Sequence, residues 1–407
     1  MTSARDAGGR RFTNVIFVGV TGSCGKTTTT KLAHAVLSAG RNCQFRINEP
    51  FIDKPPRRVR EAILSVDAAT RYYVYETAGS SPGIIAHQLQ ILRPQIGVVT
   101  TVGSDHRSTF RSLEATAKEK GTLVERLPPS GAAILNADDP LVAAMAARTS
   151  ARVITYGLSP EADIRGSDIA SRWPDRLSLN ISHKGETVGV ATRLLGEHWA
   201  TSILAAIACG VACGLNLETC ARAVACVEPV FGRYSIHGKE GGPAFVLDCV
   251  KAPYWTVPAA LGFVAAASAP RKTVVFGTIS DYSGGARRRY RKVAREALAV
   301  ADRVVFVGPH SSHMTQLRQG EAGDKLFAFQ TAYEASAFLA QPLLPGELIF
   351  IKGSLGADHL ERIMLSQLET VVCWREHCRK VSSCLDCKSY REPTPPPLGV
   401  CHEVETC

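Results

Sequence analysis

The chain has 407 residues, 45% hydrophobic and 21% charged, with a net charge of +10. This is globular composition, enough for two or three cores, and it excludes a disordered or fibrous chain. No apolar run approaches the ~20 residues that cross a bilayer, so no membrane partner is expected. The polar start, MTSARDAGGRRFTN, leads directly into a strand and lacks the pattern of a secretory signal, so a cytoplasmic location is expected. The positive charge reads either as solvated surface or as attraction for an anionic substrate. No recognition-helix or aromatic-strand pattern points to nucleic acid.

In chain order, Asn14 to Val20 is a β-branched apolar run with the length of a buried parallel strand. TGSCGKTTTT follows as a loop, and KLAHAVLSAG as an Ala/Leu helix ended by Gly40. Further strands are predicted at Tyr72–Glu76, Gly97–Thr101, Ala132–Asn136 and Ala151–Tyr156, with helical sequence between them. That alternation predicts a doubly wound, mostly parallel sheet. From Ile164 to Val190 the pattern alternates and is rich in turn residues, which predicts a small antiparallel hairpin insert. An Ala-rich helix, His198 to Gly214, closes the first domain. Gly and charge are frequent from Gly232 to Gly242 and mark a boundary. FVLDC, KTVVFG, RVVFVG and ELIFIKGS then supply the strands of a second, Rossmann-like α/β unit. RRRYRKVAREAL, around Arg287 to Arg295, reads as a helix, either a solvated basic face or one turned to an anionic acceptor. The expected organisation is α/β throughout: a P-loop central domain over 11–232, a C-terminal α/β domain over 233–370, and a Cys- and Pro-rich tail over 371–407.

GVTGSCGKTTT places Gly22 and Gly25 where backbone must close around an anion. Missing side chains let successive N–H groups point at phosphate, helped by the helix N-terminus. Gly22, Ser23, Cys24, Gly25, Lys26, Thr27 and Thr28 are the expected nucleotide-binding residues. Lys26 reaches the outer phosphates, and Thr27 offers its hydroxyl to Mg²⁺. The strict phosphate-loop pattern has glycine where Val20 stands here. This loop resembles that of the Mur ligase superfamily, G-x-T-G-T-x-G-K-T, at Gly19, Thr21, Gly22, Gly25, Lys26 and Thr27. The resemblance implies ATP as the nucleotide and two Mg²⁺ ions.

YYVYETAG resembles the strand that ends in the family's magnesium-binding glutamate, which implies that role for Glu76. The stretch from Thr100 to Pro140 is similar to the branch that adds the terminal dipeptide in peptidoglycan synthesis. That branch has T-N-I-G-x-x-H, then A-K-x-K-G, then N-A-D-D. The match implies His106 as a second magnesium ligand and Lys120 as the lysine that is carbamylated in many members. A carbamate turns a cation into an anion able to hold metal. The plain reading of Lys118 and Lys120 is two exposed helix charges. Asn136, Asp138 and Asp139 follow the next strand, where they also suit capping of a helix starting near Pro140.

Later motifs are eroded. The family's G-x-H-N-x-x-N keeps His198 as an adenine-side residue, while both asparagines are replaced, by Trp199 and Ser202. Trp199 suits either stacking on a base or core packing. Phe231–Gly232–Arg233 matches the linker arginine that approaches the transferring phosphate, a task suited to a permanent, forked cation. VLDCVKAPYWTVPAAL resembles the segment whose aspartate holds the ribose, which implies that role for Asp248; Lys251 stands where His or Asn is usual. FIKGSLGADHLERI resembles the third-domain K-G-S element, with Lys352 and Ser354 facing substrate and Leu355 where arginine is common.

The resemblance implies an ATP-dependent ligase that activates a carboxylate as an acyl phosphate and couples it to an amine. Lys26, Lys120, His106 and Arg233 are the expected catalytic residues, and Thr27, Glu76, His106 and Lys120 the expected metal ligands. Peptidoglycan ligases begin with a UDP-sugar-binding domain of roughly 80 to 100 residues. The phosphate loop here starts near residue 19, so the expected acceptor is not a UDP-muramyl peptide. The competing class is a nucleotide-binding regulatory or scaffold protein that kept the loop and lost coupling.

Cysteine is abundant, at thirteen residues, six of them from Cys373 onward. Cys384 and Cys387 form a C-x-x-C pair, with Cys373, Cys378 and His377 close by in sequence. Cys373, Cys378, Cys384 and Cys387 are candidate zinc ligands; free or redox-active thiols and an unstructured tail are the alternatives.

Overall fold

The computed structural model describes residues 14–47, 55–318 and 323–376, and in the tail 378, 380, 382–387 and 389–391. The expectations placed on residues 1–13, His377, the PTPPP run, Cys401 and Cys407 lie outside these residues. The chain divides into two compact units. One gathers the chain up to Ser235 with Pro253–Ala269 and Ile279–Gly285; the other gathers Ile236–Ala252, Pro270–Thr278 and the chain from Ala286. No shift of composition marks the two later segments that join the first unit.

The first unit is built on one sheet of nine strands: β1 (Ile16–Thr21), β2 (Cys43–Arg46), β3 (Tyr72–Glu76), β4 (Ile96–Val99), β5 (Ala132–Asn136), β6 (Arg152–Gly157), β7 (Ile164–Ala170), β8 (Ser178–His183) and β9 (Glu186–Ala191). Their order is β2-β3-β1-β4-β5-β6-β7-β8-β9. Pairing is parallel from β2 through β7 and antiparallel between β7, β8 and β9. The parallel strands are apolar on both faces because helices cover both. Phe17, Tyr73 and Tyr75 pack with Val59, Ile63 and Leu92, while Val99, Leu135, Val124, Val142 and Met145 form a second cluster. Each such side chain contributes about 1.5–3 kcal/mol by leaving water.

Two local expectations change. The hairpin residues are no separate insert, because β7 joins β6 in parallel at Tyr156↔Ile164 and Gly157↔Arg165. Alternation marks a half-buried strand but does not say which edge it extends. The first helix begins at Lys26 and runs to Ser38, five residues before the expected start. Four β-branched threonines are weak helix formers. Here Thr28, Thr29 and Thr30 are buried, and packing overrides propensity.

The second unit carries a sheet of β10 (Ser235–His237), β11 (Ala244–Asp248), β12 (Lys272–Phe276), β13 (Arg303–Val307), β14 (Leu326–Phe329) and β15 (Leu348–Lys352), ordered β10-β11-β15-β12-β13-β14. It is parallel from β11 to β14. The last strand lies inside the sheet, wholly buried. Glu347, just before it and fully buried, accepts hydrogen bonds from Arg271 (2.5 Å), Arg303 (2.7 Å) and the Thr273 hydroxyl (2.7 Å). Among the described residues, no helix is long and apolar enough to cross a membrane.

Candidate active site

The phosphate loop leaves the C-terminal end of β1 between the ends of β3 and β4. Register brings Val20 beside Glu76 and Thr21 beside Val99. Gly22 has φ +145, and a Cβ there would lie 1.8 Å from the Thr100 hydroxyl oxygen; Gly25, at φ +80, is the residue before the helix. Both positions require glycine, one for space and both for backbone sign. The first four N–H groups of the helix have no partner inside it, and the dipole favours an anion there.

The remaining loop contacts brace its shape. Ser23 donates its N–H to Thr101 O at 2.8 Å, and its hydroxyl exchanges hydrogen bonds with Gly103. Cys24 N–H donates to the Thr101 hydroxyl at 3.3 Å, and the Thr100 hydroxyl donates to Cys24 O at 2.6 Å. The amides of Ser23 and Cys24 are thus turned to the segment after β4, whereas the sequence places them toward the anion.

Two lysines converge on one carbonyl. Lys26 Nζ donates to Gly22 O at 2.9 Å and Lys120 Nζ donates to the same oxygen at 3.0 Å. Lys120 comes from the helix Leu113–Glu125, whose N-cap Ser112 accepts the Ala115 N–H at 3.1 Å. Lys120 is 2% exposed while Lys118 is exposed, so of the two readings of this pair the surface one holds for Lys118 alone. Lys120 lies 3.8 Å from Asp105 Oδ2, and His106 Nε2 lies 3.6 Å from Asp105 Oδ1. Asp105 is 2% exposed and links the lysine to the histidine. Sequence reading passed over it, because it sits at a variable place of the motif; an acidic residue next to a candidate metal histidine was the available signal.

On the other side, the Thr27 hydroxyl donates to Glu76 Oε2 at 3.0 Å. Two hard oxygen donors in contact at a strand end are what Mg²⁺ takes, so these residues fit that ion. Lys26, Thr27, Glu76, His106 and Lys120 are therefore tied together through Gly22 and Asp105. Asn136, Asp138 and Asp139 serve the fold. Asn136 Nδ2 donates to Thr100 O at 2.9 Å, Asp138 accepts Leu158 N–H at 2.7 Å, and Asp139 caps the helix Pro140–Ala143 while accepting Val102 N–H at 2.7 Å.

His198 packs at a tilt against both Trp199 and Tyr234, with ring centroids at 4.5 and 4.4 Å. Trp199 is 5% exposed, so core packing is its role here. Arg233 precedes Tyr234 and donates its N–H to Val230 O at 2.9 Å. In the second unit Asp248 and Lys352, at the ends of β11 and β15, form a buried pair at 2.5 Å. Leu355 is buried, a core residue where the family's arginine is common. Asp358 accepts hydrogen bonds from the Ser354 N–H (2.9 Å), the Thr278 N–H (2.7 Å) and the Thr278 hydroxyl (2.6 Å). Burial nonetheless pushes its carboxyl above the usual range. Gly277 and Gly353 approach this carboxylate closely: a Cβ on them would stand 2.4 and 2.9 Å from it.

The four tail thiols proposed as zinc ligands do not gather. Cys387 accepts a hydrogen bond from Lys380 Nζ at 3.0 Å, which holds its thiol down to about 7. Cys384 turns inward instead, and among the described residues the one group of three ligand-type side chains is His359, Glu361 and Cys384.

The profile of the Mur ligase middle domain matches residues 20–210, and that of the Mur ligase glutamate ligase domain matches residues 232–355. The chain is 30% identical over 368 residues to the UDP-N-acetylmuramoyl-tripeptide--D-alanyl-D-alanine ligase of Mycobacterium tuberculosis, covering 84% of this chain and 70% of the relative. It is 33% identical over 216 residues to a UDP-N-acetylmuramate--L-alanine ligase of Xanthomonas campestris, covering 51% of this chain and 41% of the relative. In fold it is similar to MurF from Acinetobacter baumannii, with a TM-score of 0.77 at 22% identity over 87% of this chain and 76% of that one. It is likewise similar to the MurF ligase of Thermotoga maritima in complex with ADP, with a TM-score of 0.74 at 20% identity over 86% of this chain and 79% of that one.

Proposed function

The chain belongs to the Mur ligase family of ATP-dependent amide-forming ligases, and we propose that its phosphate loop and the Lys120–Asp105–His106 chain form the catalytic centre. The observation that carries this reading is the convergence of Lys26 and Lys120 on Gly22 O beside the Thr27–Glu76 contact. Gly25 to Thr28 offer N–H groups to the triphosphate, with Gly22, Ser23 and Cys24 shaping the loop. Thr27 and Glu76 would hold one Mg²⁺; His106 and Lys120, as its carbamate, a second. When bound, these ions offset charge on the phosphates. A carbamate keeps one N–H for Gly22 O but adds an anion near Asp105, which calls for a cation there. From the family resemblance, His198 would serve the base and Asp248 the ribose.

The reaction has two parts. A substrate carboxylate oxygen takes the γ-phosphoryl group from ATP, releasing ADP. The amine then attacks the acyl carbon; the C–N bond forms, the C–O bond breaks, phosphate leaves, and the nitrogen gives up a proton. Both parts gather negative charge, so positioning and electrostatics dominate. Lys26 and Arg233 supply fixed positive charge for it.

We also propose that the carboxylate substrate is not a UDP-muramyl peptide and that the substrates carry negative charge beyond the reacting carboxylate. Leu355, buried where arginine is common in the K-G-S element, supports a changed substrate. The helix Ala286–Leu298 supports an anionic one, with Arg287, Arg288, Lys292 and Arg295 exposed. A cytoplasmic place follows from the need for ATP. The test is ADP release by purified protein with Mg²⁺ and a panel of carboxylate–amine pairs. Lys26→Ala is expected to abolish turnover while the protein stays folded, and turnover retained by that variant refutes the site. Turnover of UDP-muramoyl tripeptide with D-alanyl-D-alanine at the rate of the best pair refutes the substrate reading alone.

A further inference from the structure

The loop after β15, the helix Glu361–Leu368 and the short tail helix Cys384–Cys387 bring three unlike side chains together inside the second unit. His359, Glu361 and Cys384 are 2%, 0% and 8% exposed, and their ligand atoms all lie within 4.8 Å of one another. His359 sits at φ +47, outside the region that most side chains adopt. Its Nε2 is 3.0 Å from Lys380 O, which takes the ring's N–H and leaves Nδ1 facing the cluster. Nδ1 lies 3.0 Å from Glu361 Oε1 and 3.6 Å from Cys384 Sγ. A backbone carbonyl on the far nitrogen is the arrangement that orients metal-binding histidines.

Glu361 strengthens the case. Its Oε1 also accepts the Cys384 N–H at 3.0 Å, which fixes the carboxylate. Its Oε2 is buried and has no hydrogen-bond partner among the described residues. A buried carboxylate oxygen without a donor is an acceptor awaiting a cation. A neutral imidazole, a carboxylate and a thiolate carry two negative charges together, which a divalent ion cancels. Tetrahedral zinc bonds of ~2.0–2.3 Å place ligand atoms ~3.4–3.6 Å apart, so the two measured separations need shifts of only a few tenths of an ångström.

We propose that His359 Nδ1, Glu361 and Cys384 Sγ bind one Zn²⁺ ion that pins the tail to the second unit. Cys387 is not a ligand; it is held by Lys380. Binding releases the Cys384 proton to solvent and forms the Zn–S bond, with no change of oxidation state. The ion adds to a clamp already present, in which Arg362 donates to the Cys373 and Arg375 carbonyls at 3.2 and 3.0 Å. Without metal the same atoms would close as an imidazolium–carboxylate pair with a neutral thiol, and that is the alternative to be tested against.

The experiment is elemental analysis of the full chain, purified under reducing conditions after zinc supplementation and then dialysed. One zinc per chain is expected, kept in Cys387→Ser and lost in Cys384→Ser and in His359→Gln. Zinc-free wild-type protein overturns the proposal, as does zinc retained by Cys384→Ser or lost from Cys387→Ser. Should the ligand variants fail to fold, alkylation of the wild-type protein decides. Cys384 is expected to be protected until a chelator is added, with labelling then rising at least tenfold; labelling indifferent to chelator overturns the proposal.

Discussion

The C-terminal ends of the two parallel sheets treat charge in opposite ways. At the end of the first, Lys26 and Lys120 both point at one neutral carbonyl, and Asp105 lies 3.8 Å from Lys120. At the end of the second, Asp248 is matched by Lys352 at 2.5 Å, and Asp358 is enclosed by the donors of Thr278 and Ser354. One edge turns two lysines and a helix N-terminus toward the loop between them. The other closes its charges within the protein. An edge prepared for a polyanion must hold its cations and helix N–H groups where the anion can reach them, whereas a cation bound at short range to a buried carboxylate is already committed. The second edge reads first as architecture, and its share in binding depends on whether Asp248 can leave Lys352.

That contrast can be broken most forcefully at Lys26, where the alanine variant should lower ADP release by ~10²-fold or more with an unchanged melting transition. A comparable loss in melting temperature would move Lys26 to the architectural side. Next, Asp248→Asn strands a buried lysine and should cost about 3 kcal/mol of second-unit stability in denaturant unfolding. If stability holds and only the KM for ATP rises, the second edge is open after all. Glu347→Gln, at the far end of the same sheet, should cost about 3 kcal/mol at neutral pH for the same reason. Burial works to raise the Glu347 carboxyl, but the Arg271 hydrogen bond and its other donors bring it below the usual range. A lowered folded-state value means stability present above the unfolded value of ~4.3 and lost as pH falls below it. Unfolding of wild type followed from pH 6 to pH 3 should show that loss, and the glutamine variant should lose less over the same range. Asp105→Asn should lower turnover about tenfold through His106 and Lys120, read as kcat on protein shown to be folded, with a smaller loss of stability than Asp248→Asn because the Lys120 pair is longer, 3.8 against 2.5 Å. The smallest effect is expected from Ser112→Ala, about 1 kcal/mol in the melting of the lysine-bearing helix.

Much of the site was legible because its signals are local. Gly22, Gly25, Lys26 and Thr27 lie within six residues, and the demand for glycine at positive φ is met by the neighbouring chain alone. Glu76 was legible as the polar end of an apolar strand. Asp105 was not, since its meaning lies in contacts to His106 and Lys120, the latter fifteen residues on. Ser23 and Cys24 were assigned to the anion because a loop motif does not show that the segment after β4 takes their amides. Trp199 could be read two ways until Tyr234 was seen against His198.

The sequence by itself determined the strand–loop–helix of the phosphate site, the α/β character of both units and the family, because apolar periodicity and glycine placement are set by residues a few positions apart. The tertiary structure alone decided that Lys120 is buried while Lys118 is not, that β15 enters the middle of its sheet, and that Cys384 meets His359 and Glu361 rather than the other thiols. Those outcomes depend on which distant segments exclude water together, and no stretch of chain carries that information within itself.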